Sequence, residues 1–197
     1  MKNRSLVALA LTSVIATGFS TFANAGALSC ISTDGTTTRT WSFNSAEACG
    51  MGEKNPNASE DIEGLGGLFN LGATDWDKAG GIDNDSGDGS SWLNITFNPG
   101  SGWGGKDISA NWSLGTGFWE TFGMAVFSVH VGNNKDLRDF AAFYITPGQY
   151  SGTWSYTQQT TAKGGDGGGL SNAHLWTAGT GIIVEEEFPV PEPGILM

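Results

Sequence analysis

Cations are scarce in this sequence: nine Lys and Arg stand against 20 Asp and Glu, a formal charge of −11 over 197 residues. A chain so acidic repels the phosphates of nucleic acid and of anionic membrane surfaces, so neither is an expected partner. Histidine is limited to His130 and His174, and no cysteine or carboxylate stands at zinc-ligand spacing from either. The Gly-x-Ser-x-Gly turn that presents a nucleophilic serine is missing. The glycine-rich run 163–169 lacks the Gly-Lys-Ser/Thr of a phosphate-binding loop, so a turn is expected there. No long amphipathic helical pattern is present either, which argues against helical layers.

What the chain has instead is glycine, 31 residues where ordinary usage is ~7%, and rings. Eight Trp, 11 Phe and three Tyr carry much of the apolar content. That mixture favours short strands and tight turns.

The N-terminus opens with Lys2 and Arg4, runs apolar from Leu6 through Ile15, and reaches Ala23-Asn24-Ala25. This predicts a signal peptide over 1–25, cleaved after Ala25 in the small-x-small pattern of Ala23 and Ala25. Thr12, Ser13, Thr17 and Gly18 interrupt the apolar run, which speaks against a retained span. Without a twin arginine the general secretory route is expected, with the secretory translocon and signal peptidase as partners. Losing Lys2 and Arg4 with the leader takes the charge from −11 to −13. The only cysteines, Cys30 and Cys49, are then an expected disulfide in an oxidising compartment. It would close a loop of roughly 20 residues and contribute about 3 kcal/mol.

One domain is expected over 26–181. Strands are expected at Arg39–Phe43, Leu68–Leu71, Ser91–Phe97, Ala110–Leu114, Met124–Val131, Phe140–Ile145, Ser151–Tyr156 and Leu170–Trp176. Met124–Val131 alternates, with Ala125, Phe127, Val129 and Val131 on one face and Val126, Ser128 and His130 on the other. Ser45–Cys49 and the stretch around Phe118, Trp119 and Phe122 read as single helical turns, and 50–67 as a polar surface loop. About eight short strands separated by Gly, Pro and Asn turns make an all-β, antiparallel β-sandwich or jelly roll the expected fold. Residues 182–197, with Glu185 to Glu187 and prolines at 189, 191 and 193, read as an extended linker.

Within that linker, Val190-Pro191-Glu192-Pro193 at the end of an exported chain resembles the sorting tail of bacterial PEP-CTERM surface proteins. The segments Ser151–Tyr156 and Gly167–Asn172, the latter running on to Leu175-Trp176, are similar to the body upstream of the tail in some members. The resemblance implies a Gram-negative cell that exports the chain and holds it transiently in the inner membrane. Exosortase would then process it near Pro-Glu-Pro, leaving it at the cell surface or in the extracellular matrix. In that family the motif precedes a transmembrane helix and an arginine cluster, whereas here Gly194–Met197 follow. Four residues do not cross ~30 Å of hydrocarbon at about 1.5 Å per residue. Sorting is therefore expected where the tail continues, and secretion without sorting where it does not. The family shares an address rather than an activity, so it implies no catalytic residue.

Three further groups carry possible chemistry. Asp83, Asp85 and Asp88 are spaced to converge on a hard cation such as calcium, although counting from Asp83 fails the EF-hand register; a solvated Asx-rich turn is the plainer reading. Trp76, Trp92 and Trp103 lie beside acidic or glycine-rich loops and are the candidates for stacking on a sugar, while Trp41, Trp112 and Trp154 fit core positions. His130 and His174 fall within strands as structural histidines, with Ser-His-Asp catalysis left open because such residues meet only in the fold. The leading reading is a non-enzymatic exported surface or matrix protein that needs no cofactor. A calcium-assisted carbohydrate-binding module, with extracellular polysaccharide as partner, is the alternative. A secreted hydrolase is the second alternative; paired carboxylates from Glu47, Glu53, Glu60, Glu63 and Glu120 are available in number for it.

Overall fold

The computed structural model describes residues 26–33, 36–53, 62, 69, 76–83, 86–87, 92–132, 138–160 and 168–181. Among the described residues the elements follow in chain order as β1 Leu28–Thr33, β2 Thr37–Phe43, β3 Ala46–Gly52, β4 Asp77–Asp83, β5 Ser86–Gly87, β6 Leu93–Phe97, β7 Asp107–Leu114, the short helix α1 Phe118–Thr121, β8 Phe122–Val131, β9 Phe140–Ile145, β10 Ser151–Thr160 and β11 Leu170–Thr180. They form two antiparallel sheets packed face to face. Sheet A has the order β1-β2-β10-β7-β6 and sheet B the order β3-β9-β8-β11-β4-β5. The expected all-β sandwich is what the chain builds.

The sheets differ in what their second face does. In sheet A, β2 and β7 bury alternate residues, so Trp41, Phe43, Ile108, Ala110 and Trp112 point inward and Ser42, Ser109 and Asn111 point out. This is the pattern of a sheet with one wet face. The inward rings form the main core: Phe43 stacks on Trp112 and on Phe143 across the interface, with centroids 4.9 and 5.2 Å apart. In sheet B the alternation fails, because β9 is buried at all six positions and β8 is buried at 125–129. Its second face is covered too. Ile62, Phe69 and Trp76 pack with Val126, Phe140, Ala142, Tyr144, Trp176 and Ala178 in a second cluster outside the sandwich. The stretch 50–67, read as a polar surface loop, thus places Ile62 at 0% exposure. An isolated Ile62 in a polar and glycine-rich background gives no periodic signal, yet its side chain packs on the apolar outer face of sheet B.

Ser45–Cys49 is another correction, since it is not a helical turn. Asn44 and Ser45 form a corner, Ser45 at φ 69°, that carries the chain out of sheet A; Ala46–Gly52 then pairs with β9 from Ala46 opposite Ile145 to Gly52 opposite Phe140. Pairing along a finished edge overrides the helical preference of Ala-Glu-Ala. Gly52 is required there: a Cβ would lie 2.1 Å from the Phe140 ring. The helical turn expected near Phe118 is α1. Of the expected strand Leu68–Leu71, Phe69 lies in a turn, and its neighbours lie outside the described residues.

Two devices tie the sheets together. The Cys30–Cys49 disulfide joins β1 to β3, the edge strands on one side, with Cα atoms 6.2 Å apart. At the end of the sandwich where β8 and β9 connect, Arg39 of β2 is fully buried. Its guanidinium donates to Gln158 Oε1 at 3.2 Å, to the Arg138 carbonyl at 3.0 Å and to the Gly132 carbonyl at 3.3 Å. Tyr156 donates to the same Gln158 oxygen at 2.8 Å. Burial pushes the Tyr156 phenol up to about 12, against the opposing pull of the Arg39 charge.

Candidate functional site

Both histidines lie on the outer face of sheet B, at the end away from α1. There β8, β11 and β4 place His130, Asn172 and Asp83 in one cross-strand row and Ser128, His174 and Gly81 in the next. His174 is 3% exposed, and its Nε2 lies 3.4 Å from Asp83 Oδ1. Gly81 makes room for that ring, since a Cβ would stand 2.5 Å from His174 Cδ2. Trp176, the next outward residue of β11, donates its indole N–H to Ser128 Oγ at 2.9 Å and closes the apolar cluster against this polar end.

Ser171 sits where the β8–β11 register shifts. Its Oγ is hydrogen-bonded to His130 Nδ1 and lies 3.3 Å from the His130 carbonyl oxygen. The other ring nitrogen, Nε2, lies 3.7 Å from Asp139 Oδ2, and Asp139 is 3% exposed. A serine, a histidine and an aspartate therefore meet, but with the ring nitrogens exchanged relative to a nucleophilic triad: Ser171 is on Nδ1, and Asp139 faces Nε2 at 3.7 Å, beyond hydrogen-bond distance. Two further features set this group apart from a working one. The hydroxyl proton of Ser171 has two acceptors within reach, Nδ1 and the His130 carbonyl. The neighbouring backbone donors are also committed: Val131 N–H to Asp139 O, Gly132 N–H to Gly169 O and Leu170 N–H to Gly105 O. Those three are not free to receive a developing oxyanion.

The outer face of sheet A has a different character. A groove of about 390 Å³ crosses β6, β7 and β10, lined by Asn94, Thr96, Asn111, Ser113, Ser151 and Thr153 over the backbone of Trp112 and Gly152. A second hollow of about 160 Å³ continues from Thr153 toward β2, between Ser42, Asn44, Asn98, Ser109 and Ser155. These side chains form ladders across the strands: Asn94 faces Ser113, which faces Ser151, and Thr96 faces Asn111, which faces Thr153.

No protein-family model matches the chain, and no curated protein or solved structure matches it. Its chemistry rests on its own side chains.

The candidate residues taken from the sequence fare unevenly. Trp76 is 2% exposed within the outer cluster of sheet B, so it offers no face to a sugar. Trp92, just before β6, packs edge-on to Phe118 and Phe122, whereas Trp103, in the β6–β7 connection, packs edge-on to Phe97. The three rings thus serve separate packing contacts and form no common platform. Trp41, Trp112 and Trp154 are core residues at 1%, 1% and 3% exposure. Of the carboxylates read as a cation site, Asp83 ends β4 beside His174, while Asp85 and Asp88 lie outside the described residues. Among the described residues, no group of three or more His, Cys, Asp or Glu is arranged around a metal position. Ala23, Ala25, Val190, Pro191, Glu192 and Pro193 also lie outside the described residues. Among those described, no helix is long and apolar enough to cross a membrane. The groove on sheet A left no trace in sequence reasoning, since its lining comes from three strands whose adjacency is a matter of topology.

Proposed function

We propose that this chain is a non-enzymatic exported protein of the cell surface or extracellular matrix, delivered by its signal peptide and addressed by its Pro-Glu-Pro tail. The observation that carries this reading is the Cys30–Cys49 disulfide, which joins two sheet edges. A cross-link in that position belongs to a protein that folds in an oxidising compartment. The acidic composition and the uncharged groove of sheet A fit a role in recognition. Expression of the full chain in a Gram-negative host, followed by fractionation and N-terminal sequencing, tests the address. A mature form beginning at Gly26 with no free thiol is expected; a cytoplasmic, reduced product that keeps residues 1–25 would refute it.

The Ser171–His130–Asp139 contacts favour a second reading, a secreted hydrolase. A serine-directed fluorophosphonate probe, applied to the full chain and to Ser171→Ala, separates the two. Labelling of the native chain that vanishes in the variant would select the hydrolase, and an unlabelled native chain the binding protein.

A further inference from the structure

We infer that the groove on the outer face of sheet A is a binding site for a neutral polysaccharide, laid across β6, β7 and β10 and continuing toward β2. This deepens the proposed surface or matrix role and rests on it.

Composition supplies the first reason. In a chain with 20 acidic residues, the side chains lining both hollows are hydroxyls and carboxamides apart from Ala27, Ala110, Trp112, Gly152 and Trp154, and none is charged. Hydroxyl and amide groups both donate and accept, and hydroxyls turn to suit, which matches the mixed donor and acceptor pattern of sugar hydroxyls. An anionic polymer would find no cation in the groove and a strongly acidic protein around it. A protein partner would need buried aromatic or arginine anchors at the centre of its interface, but the rings of sheet A point inward, Trp112 and Trp154 at 1% and 3% exposure.

Geometry supplies the second. The ladders run perpendicular to the strands, so equivalent side chains recur at the interstrand spacing of about 4.8 Å, close to the length of one pyranose ring. The floor is strand, from the edge strand β6 across β7 to β10, rather than loop, so little ordering is needed on binding. Part of the lining is already oriented: Asn111 Nδ2 donates to Asn98 Oδ1 at 3.1 Å, and Asn98 Nδ2 to Ser109 Oγ at 2.9 Å. Asn94, Thr96, Ser151 and Thr153 are exposed. The site is remote from Asp83, so binding requires no calcium.

The test is affinity electrophoresis of the full chain, disulfide intact, through gels containing a neutral glucan, mannan or galactan, or the polyanion alginate, each with calcium or with EDTA. Retardation by at least one neutral polymer, unchanged by EDTA, is expected. Thr153→Arg, which puts a long charged side chain into the middle of the groove, should weaken retardation at least tenfold at an unchanged melting temperature. Thr38→Arg, farther along the same face, should leave it within twofold. Retardation by alginate alone, by no polymer, or equally for Thr153→Arg and the native chain would overturn the inference. So would a concentration-dependent dimer that Thr153→Arg dissociates, because it assigns the face to a second copy. Reducing ends released from a retained polymer would refute the non-enzymatic reading while leaving the binding site standing.

Discussion

Replacing Arg39 by methionine tests how the two sheets are held at the end where β8 joins β9. The side chain is 0% exposed, and among the described residues no carboxylate comes within ion-pair distance of it. Its charge is met by Gln158 Oε1 and by the carbonyls of Arg138 and Gly132. Methionine fills similar space without donors. Gln158 Oε1 keeps the Tyr156 hydroxyl, but the two carbonyls lose a charged donor, at about 1–3 kcal/mol each. Relief of the desolvated charge offsets part of that, so the expected net loss is about 2–4 kcal/mol. For a domain of this size that lowers Tm by roughly 2–4 °C per kcal/mol. Lysine keeps the charge but not the planar fork that reaches three acceptors at once. Arg39→Lys should therefore be at least as damaging, at about 3–5 kcal/mol. Urea denaturation followed by tryptophan fluorescence, disulfide intact, measures both. Should Arg39→Met prove as stable as the native chain, desolvation outweighs the three hydrogen bonds and the account of Arg39 as a tie between sheets is wrong.

The paired change Cys30→Ala with Cys49→Ala should cost about 3 kcal/mol, read as a lower urea midpoint, with the native chain falling to the same value in reductant; equal midpoints would mean that the bridge adds nothing. Gly52→Ala drives a methyl into the Phe140 ring and should cost about 1–3 kcal/mol, whereas Gly100→Ala, at φ 84° with open space around its Cβ position, tests backbone strain without a clash and should cost less. Stability should also fall in alkali. Because the folded pKa of Tyr156 is raised to about 12 from 10.0, the folded state favours the neutral phenol. Its contribution, about 2–3 kcal/mol, is complete below pH 10 and is lost between pH 10 and 12. Absorbance at 295 nm should show one tyrosine ionising only as the chain unfolds, an effect that Tyr156→Phe removes.

Much of the fold was legible because the strands that build the sandwich advertise themselves locally. Arg39–Phe43 alternates, Phe140–Ile145 is uninterruptedly apolar, and turn residues bracket both. Four strands went unread, β1, β3, β4 and β5, and two of them show that local sequence does not always specify a strand. Asp77–Asp83 carries two glycines and three charges and is a strand because β11 offers it an edge; Ala46–Gly52 is one because β9 does. The alternation of β8 was legible but not what covers its second face: the side of the strand that carries Val126 packs under the cluster around Ile62, Phe69 and Trp76. The candidate sites were less legible still. Ser171 meets His130 across 41 residues of sequence, and the groove needs β10 beside β7 beside β6, a register set by the whole topology.

The position of the disulfide makes the sandwich mechanically lopsided. On one side the edges of the two sheets, β1 and β3, are joined by a covalent bond; on the other, sheet A ends in β6 and sheet B in β4 and the two-residue β5, held by noncovalent contacts among the described residues. The molecule is built like a book sewn along one spine. Shear that prises the sheets apart must open the unsewn side first, and while the spine holds, the leaves stay in register to close again. Under mechanical load this directs where strain is released and lets the opening reverse.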